Sequence, residues 1–164
     1  NLPYNVTTPL LAKFIDAGIF EQITVMIQRE VALRLTAAPG TPDYGAFSLY
    51  LNWHCEAERL FDVPPECFMP RPKVTSSVIS LTPRAQKPCA VRDEALMFRC
   101  VRAAFGQRRK TLSNALTNGL GAYNREEVNA ALESAGVSVQ ARGETLGIEE
   151  FAAISDALSA LKAM

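Results

Sequence analysis

The chain has 164 residues, 48% of them hydrophobic and 21% charged, the makeup of a soluble globular protein of one domain or a small pair. No apolar run reaches membrane-spanning length and no basic-then-apolar leader opens the chain, so neither a membrane protein nor a signal-bearing one is expected. The net charge of zero conceals a pattern: residues 1–70 carry 4 basic and 8 acidic side chains, residues 71–122 carry 10 and 2, and residues 123–164 carry 3 and 7. A basic middle between acidic ends is the footprint of a polyanion-binding stripe.

The first residues are Asn1-Leu2-Pro3-Tyr4. An Asn, a Pro and an aromatic in a tight turn suit methylation of a planar exocyclic amine, whose lone pair is delocalised into its ring. The Asn side-chain oxygen and the carbonyl just before the Pro both accept hydrogen bonds from such an amine. They hold the nitrogen and favour tetrahedral geometry as a methyl group arrives. Leu2 precedes a proline and is pushed towards extended backbone, so its carbonyl can turn outward. Tyr4 offers a face for a stacked base. The competing reading of these four residues is an ordinary strand-to-helix loop. The chain starts inside this motif and without an initiator Met, and is expected to be a piece of a longer or processed protein.

Thr7, Thr8 and Pro9 predict a helix start, with a hydroxyl N-cap and proline at the first helical position; Gly18 ends that helix. Residues 22–28 are short, apolar and rich in β-branched side chains, and predict a buried strand. A second helix is expected from Arg29 to Thr36, a loop over 38–45, and a third helix over 46–54 with Phe47, Tyr50 and Leu51 inward. A strand near 58–63 follows. Pro64, Pro65, Pro70 and Pro72 then forbid helix and fix a stiff, extended loop around Phe68. Residues from Val74 to Leu81 predict a closing strand. This order fits the second half of a doubly wound α/β sheet.

Residues 82–89 read as a linker, and everything beyond is helical. Helices are expected over 92–105, 108–118, 125–134 and 149–161, stopped in turn by Gly106, Gly119 and Gly136, with Gly147 as the last N-cap. The boundary between an α/β part, 1–83, and a small all-α part, 84–164, is placed in the linker. The cysteines at 55, 67, 89 and 100 lack metal-binding spacing, so free cytosolic thiols and no metal are expected. His54, the single histidine, reads as a surface residue at a helix end.

Two further stretches carry chemistry. Phe68, braced by prolines, is either a plug under the loop or a second stacking platform opposite Tyr4. The stretch 99–110 carries Arg99, Arg102, Arg108, Arg109 and Lys110 and no acid, which suits phosphate contacts; Arg binds phosphate through its bidentate fork.

Taken together, the motifs resemble the ribosomal RNA adenine N6,N6-dimethyltransferase family of the KsgA type. Asn1-Leu2-Pro3-Tyr4 matches its amine-methylating loop. Residues 28–35 resemble its Q-x-E-V-x-x-R-L segment, 68–78 its F-x-P-x-P-x-V-x-S-x-V loop and strand, and 105–112 its F-x-Q-R-R-K-T-L. The tail from Arg142 to Leu146, with Glu150-Phe151, resembles its R-x-E-x-L…E-x-F ending. Gly143 and Gly147 depart from residues more usual in the family, which implies a minor loss of helix capping.

The resemblance implies the second half of a Rossmann-like sheet that uses S-adenosylmethionine (SAM), followed by a small helical RNA-binding domain. It implies two adjacent adenosines of small-subunit ribosomal RNA as substrate, a role in ribosome assembly, and a cytoplasmic monomer without membrane contact. On this reading Asn1, Leu2, Pro3, Tyr4 and Phe68 are catalytic, and Asn1 and Leu2 also meet SAM. Arg71, Lys73, Arg99, Arg102, Arg108, Arg109 and Lys110 bind RNA. The family's glycine-rich SAM loop and acidic donor-binding positions lie before the Asn-Leu-Pro-Tyr loop, so the 164 residues alone are not expected to bind SAM or to work as an enzyme. The alternatives are a macrolide-resistance-type rRNA adenine methyltransferase and a non-catalytic RNA-binding assembly factor.

Overall fold

A computed structural model describes residues 1–162, with Tyr4 described in its backbone only. The chain forms two compact units, one from Asn1–Ala37 with Leu51–Lys87, the other from Ala38–Tyr50 with the chain from Pro88 onward. Residues 38–50 thus group with the helical unit, although they precede the linker at which sequence places the boundary.

In the first unit a 3₁₀ turn, Tyr4–Val6, runs into helix α1, Thr7–Ala17. Gly18 closes α1 in the left-handed region, φ 64°, donating its N–H to the Ile15 carbonyl. Thr7 makes no capping hydrogen bond of the expected kind: its hydroxyl reaches back to the carbonyl of residue 3. Strand β1, Ile23–Gln28, passes without a break into helix α2, Arg29–Leu35. Helix α3 covers Ala46–His54, and the division between the units falls within it, after Tyr50. Its most buried side chains are Ser48, Leu49, Leu51 and Trp53, whereas Phe47 and Tyr50 are half-buried and stack on each other at 5.2 Å.

Strand β2, Cys55–Val63, begins three positions earlier than the sequence suggests, and β3 spans Ser76–Pro83. The sheet order is β1-β3-β2, with β3 antiparallel to both neighbours. The last strand therefore inserts between its predecessors, a placement that strand propensity does not encode. Ile23 lies opposite Leu81 and Val25 opposite Ile79, and all four are buried. β1 is not buried on both faces as expected, since Thr24 between Ile23 and Val25 is exposed.

The second unit holds α4 (Glu94–Gly106), α5 (Leu112–Leu120), α6 (Arg125–Ser134) and α7 (Ile148–Lys162). Their starts follow from caps. Asp93 accepts from the Leu96 N–H, Thr111 from the Asn114 N–H, and Asn124 with Glu127 forms a reciprocal capping box. Gly147 opens α7 by donating its N–H to the Glu150 carboxylate at 2.9 Å. Met97, Leu112, Leu116, Leu132, Phe151, Ile154 and Leu158 are fully buried and form the core of this unit.

Several expectations fail here. α5 starts at Leu112, not Arg108, because Thr111 supplies the cap; three cations in a first helical turn would also oppose the helix dipole. Gly119 is not a stop but lies inside α5, and Gly121, φ 63°, ends it. A Cβ at Gly119 would lie 2.5 Å from the Ala103 Cβ, and one at Gly143 would lie 2.6 Å from that of Ala104. Gly143 is thus required by close approach to α4 rather than being a lost cap. The cysteines are free; Cys55 and Cys100 are buried, and burial pushes the Cys100 thiol up to about 12.

Candidate active site

The Asn-Leu-Pro turn is held from two sides. The Leu2 N–H donates to the Met26 carbonyl of β1 at 3.1 Å. The Pro3 carbonyl accepts from the Val6 N–H at 3.2 Å and from the Thr7 hydroxyl at 3.1 Å. Pro3 itself sits at φ −61°, ψ 132°. The Pro3 carbonyl is thereby committed, whereas no backbone hydrogen bond among the described residues engages the Leu2 carbonyl beside Asn1. Asn1 is exposed and Leu2 half-buried. The side chain of Tyr4 lies outside the described residues.

Phe68 is brought to the same place. Asn1, Leu2, Pro3, Phe68, Met69, Pro70 and Pro72 line one open hollow of about 430 Å³. Phe68 is half-buried rather than part of the core, and its neighbour Met69 is 98% exposed. A 3₁₀ turn, Pro65–Cys67, leads into Phe68, whose N–H donates to the Pro65 carbonyl. An acceptor-bearing turn facing an aromatic across a hollow of this size suits a flat, amine-bearing ring held by stacking and by hydrogen bonds.

The base of the Phe68 loop is fixed by a cluster that sequence reasoning missed. Asp62 and Ser77 are paired across β2 and β3, and the Ser77 hydroxyl donates to the Asp62 carboxylate at 2.6 Å. Arg29 and Arg59 donate to the same carboxylate at 3.0 and 2.9 Å. The Arg29 N–H also holds the Thr75 carbonyl at 3.0 Å. The Ser77 hydrogen bond, with Arg59 and Arg29 behind it, keeps the Asp62 carboxyl below its usual range despite an opposing desolvation. Strand register sets Ser77 beside Asp62 and the start of α2 delivers Arg29; only the Arg59–Asp62 pair is local in the sequence. Thr7 was also missed as a holder of the turn, though a hydroxyl four residues after Pro3 was a readable signal.

The candidate RNA-binding cations separate by what they already hold. In the first unit Arg71 pairs with Glu66, while Lys73 is exposed. In the second, Arg99 donates to the Leu120 carbonyl at the end of α5, 3.2 Å away. Arg108 pairs with Glu144 and donates to the Pro42 and Tyr44 carbonyls. Arg102, Arg109 and Lys110 are exposed, and no ion pair among the described residues engages them. Two open hollows adjoin these cations. One, about 320 Å³, is lined by Arg99, Arg102 and Gln107 with three small residues; the other, about 420 Å³, by residues 105–110.

The α/β unit, with the Asn-Leu-Pro turn tied to its β1 strand, is of the kind seen in solved rRNA methyltransferases of the Rossmann-like class. Residues 1–159 match the family described as ribosomal RNA adenine dimethylase. The chain is 47% identical over 164 residues to ribosomal RNA small subunit methyltransferase A of Geobacillus thermodenitrificans, covering 98% of this chain and 56% of that protein. It is 44% identical to the protein of the same name from Clostridioides difficile, covering 97% and 55%. Among solved structures, a dimethyladenosine transferase from Plasmodium falciparum shares the fold at a TM-score of 0.81 and 22% identity, over 94% of this chain and 63% of that one. The 23S rRNA methyltransferase ErmE aligns at 0.64 and 25% identity, over 96% and 63%. The chain belongs to the ribosomal RNA adenine dimethylase family. It spans little more than half the length of the curated relatives it matches. No helix of the described residues is long and apolar enough to cross a membrane.

Proposed function

We propose that this chain is the target-adenine-receiving part of an rRNA N6,N6-dimethyltransferase. Its substrate would be two adjacent adenosines of small-subunit ribosomal RNA in an assembling subunit. The observation that carries the reading is the hollow shared by Asn1, Leu2 and Phe68. The amide oxygen of Asn1 and the carbonyl of Leu2 accept the two N–H bonds of an adenine N6, drawing its lone pair out of the ring. Phe68 supplies a stacking face, worth about 1–3 kcal/mol per base. Arg102, Arg109 and Lys110 meet phosphates, with Lys73 a further candidate.

The residues present fit one wall of a methyl-donor site: Leu2 has spent its N–H on Met26 and offers only acceptors, and Asn1 is exposed beside it. SAM, when bound there, supplies an electrophilic methyl on a sulfonium. Asn1 and Leu2 are the residues of this chain that would hold its reactive end. Identity of 44–47% to small-subunit enzymes, against 25% to the 23S enzyme, supports the small subunit as target.

The test is methyl incorporation by the full-length protein into small- and large-subunit rRNA, read by mass spectrometry of digested nucleosides, for wild type and Asn1→Ala. Dimethyladenosine in small-subunit rRNA, lost in the variant, is expected. Methylation confined to large-subunit rRNA would replace the substrate assignment. RNA binding without any methylation would leave an assembly factor.

A further inference from the structure

Thr7 sits at the start of α1 and is 2% exposed. It lines no hollow described above, and its hydroxyl proton is committed to the protein's own backbone. Its hydroxyl donates to the Pro3 carbonyl, which already accepts from the Val6 N–H. The Leu2 carbonyl lies between two fixed points. Upstream, the Leu2 N–H is anchored on Met26 of β1. Downstream, the proline ring fixes φ of residue 3. The preceding residue is confined to extended backbone by the same ring. The torsion left to place the turn is ψ of Pro3, and the Thr7 hydroxyl pins the carbonyl that this torsion swings.

From this geometry we infer that Thr7 is a positioning residue that fixes the direction of the Leu2 carbonyl, and that its hydroxyl governs the second methyl transfer more than the first. The inference rests on the reading of the turn as the acceptor of adenine N6. An unmodified N6 carries two N–H bonds and engages both Asn1 and Leu2. Each transfer forms one N–C bond and breaks the donor's S–C bond, whose electron pair stays on sulfur as a neutral thioether, and the methylated nitrogen loses one N6 proton to water. After the first, a single N–H remains for two acceptors. A slightly misdirected Leu2 carbonyl is then no longer backed up by a second hydrogen bond.

The experiment uses full-length protein with an RNA carrying two adjacent adenosines, and compares wild type, Thr7→Val, Thr7→Ala and Thr7→Ser. Valine keeps the branched shape and removes only the hydroxyl; the Pro3 carbonyl keeps its Val6 partner, so no buried acceptor is orphaned. The measurements are the ratio of monomethyl to dimethyl adenosine, kcat, KM for RNA, and melting temperature.

Thr7→Val, or Thr7→Ala where the valine variant does not fold, is expected to raise the monomethyl share several-fold. It should lower kcat about tenfold with RNA KM within about twofold, and Thr7→Ser should restore both. A fall in melting temperature with product ratio and kcat unchanged would overturn the inference and leave Thr7 a helix-end residue. If wild type itself yields no N6-methylated product, it is the function proposed above that fails.

Discussion

Arg108 and Glu144 form an ion pair at 3.2 Å, and the same guanidinium donates to the backbone carbonyls of Pro42 and Tyr44. The loop before α3 is held further by the Gly40 N–H on the Glu144 carbonyl, 2.8 Å, and by the buried Tyr44 hydroxyl on the Leu146 carbonyl, 2.9 Å. Arg108 is therefore occupied within the second unit. Both partners are partly exposed, so the ion pair alone is worth about 0–1 kcal/mol, with roughly 0.5–1.5 for each carbonyl hydrogen bond. Arg108→Ala should lower unfolding free energy by about 1–2 kcal/mol in urea titration, and Glu144→Gln by less. Equal stability of Arg108→Ala and wild type would return this arginine to the RNA contacts.

The cations without an ion pair should behave in the opposite way. Changing Arg102, Arg109 and Lys110 to Ala together is expected to leave melting unchanged. RNA affinity should weaken at every sequence, and its salt dependence should flatten by about 0.7–0.9 per lost phosphate contact. Filter binding across a range of salt concentrations measures both. An unaltered slope would remove these residues from the interface.

For Phe68 the two readings predict different losses. A buried Phe→Ala costs about 3–5 kcal/mol of stability. Phe68 is half-buried on the hollow that Asn1 lines, so Phe68→Ala in the full-length protein should cut turnover with only a small fall in melting temperature. Melting and turnover measured on one preparation decide between plug and platform.

Asp62 gives a pH dependence whose sign is fixed. Its folded-state pKa is lowered, first by the Ser77 hydrogen bond and then by Arg59 and Arg29. The stabilisation is fully present above the ordinary Asp range, about pH 4, and is lost as pH falls through the folded value. Asp62→Asn should therefore reduce melting temperature at neutral pH and narrow its gap from wild type as the buffer is acidified. A constant gap down to low pH would show that the carboxylate charge has no part in holding the base of the Phe68 loop.

Much of this was readable from local signals. Helices α3 and α6 fall within the predicted bounds: helical periodicity marks α3, and Gly136 just beyond the end marks α6. The Asn-Leu-Pro turn and Phe68 were both legible as residues, and it is the fold that sets them around one hollow. What stayed hidden depends on tertiary approach. Gly119 looks like a stop in sequence but sits where a side chain would collide with Ala103, its Cβ falling 2.5 Å from that of Ala103, a constraint that only the packing of α4 on α5 creates. Arg108 looks like one of five equivalent cations until Glu144, Pro42 and Tyr44 claim it. The insertion of β3 between β1 and β2 is not encoded in strand propensity; its trace is in charge, since β2 carries Glu56, Glu58, Arg59 and Asp62 and β3 carries no charged residue.

The Phe68 loop leaves β2 after Val63 and returns at Ser76, and Ser77, Arg29 and Arg59 draw its base together on Asp62. Pro64, Pro65, Pro70 and Pro72 remove much of the freedom that remains in the span between. The disorder lost in closing this loop is settled when the protein folds, not when RNA arrives. On the proposed reading, an incoming base would meet a surface that is already standing, and nearly all the stacking energy would be left to oppose the cost of pulling that base from its helix.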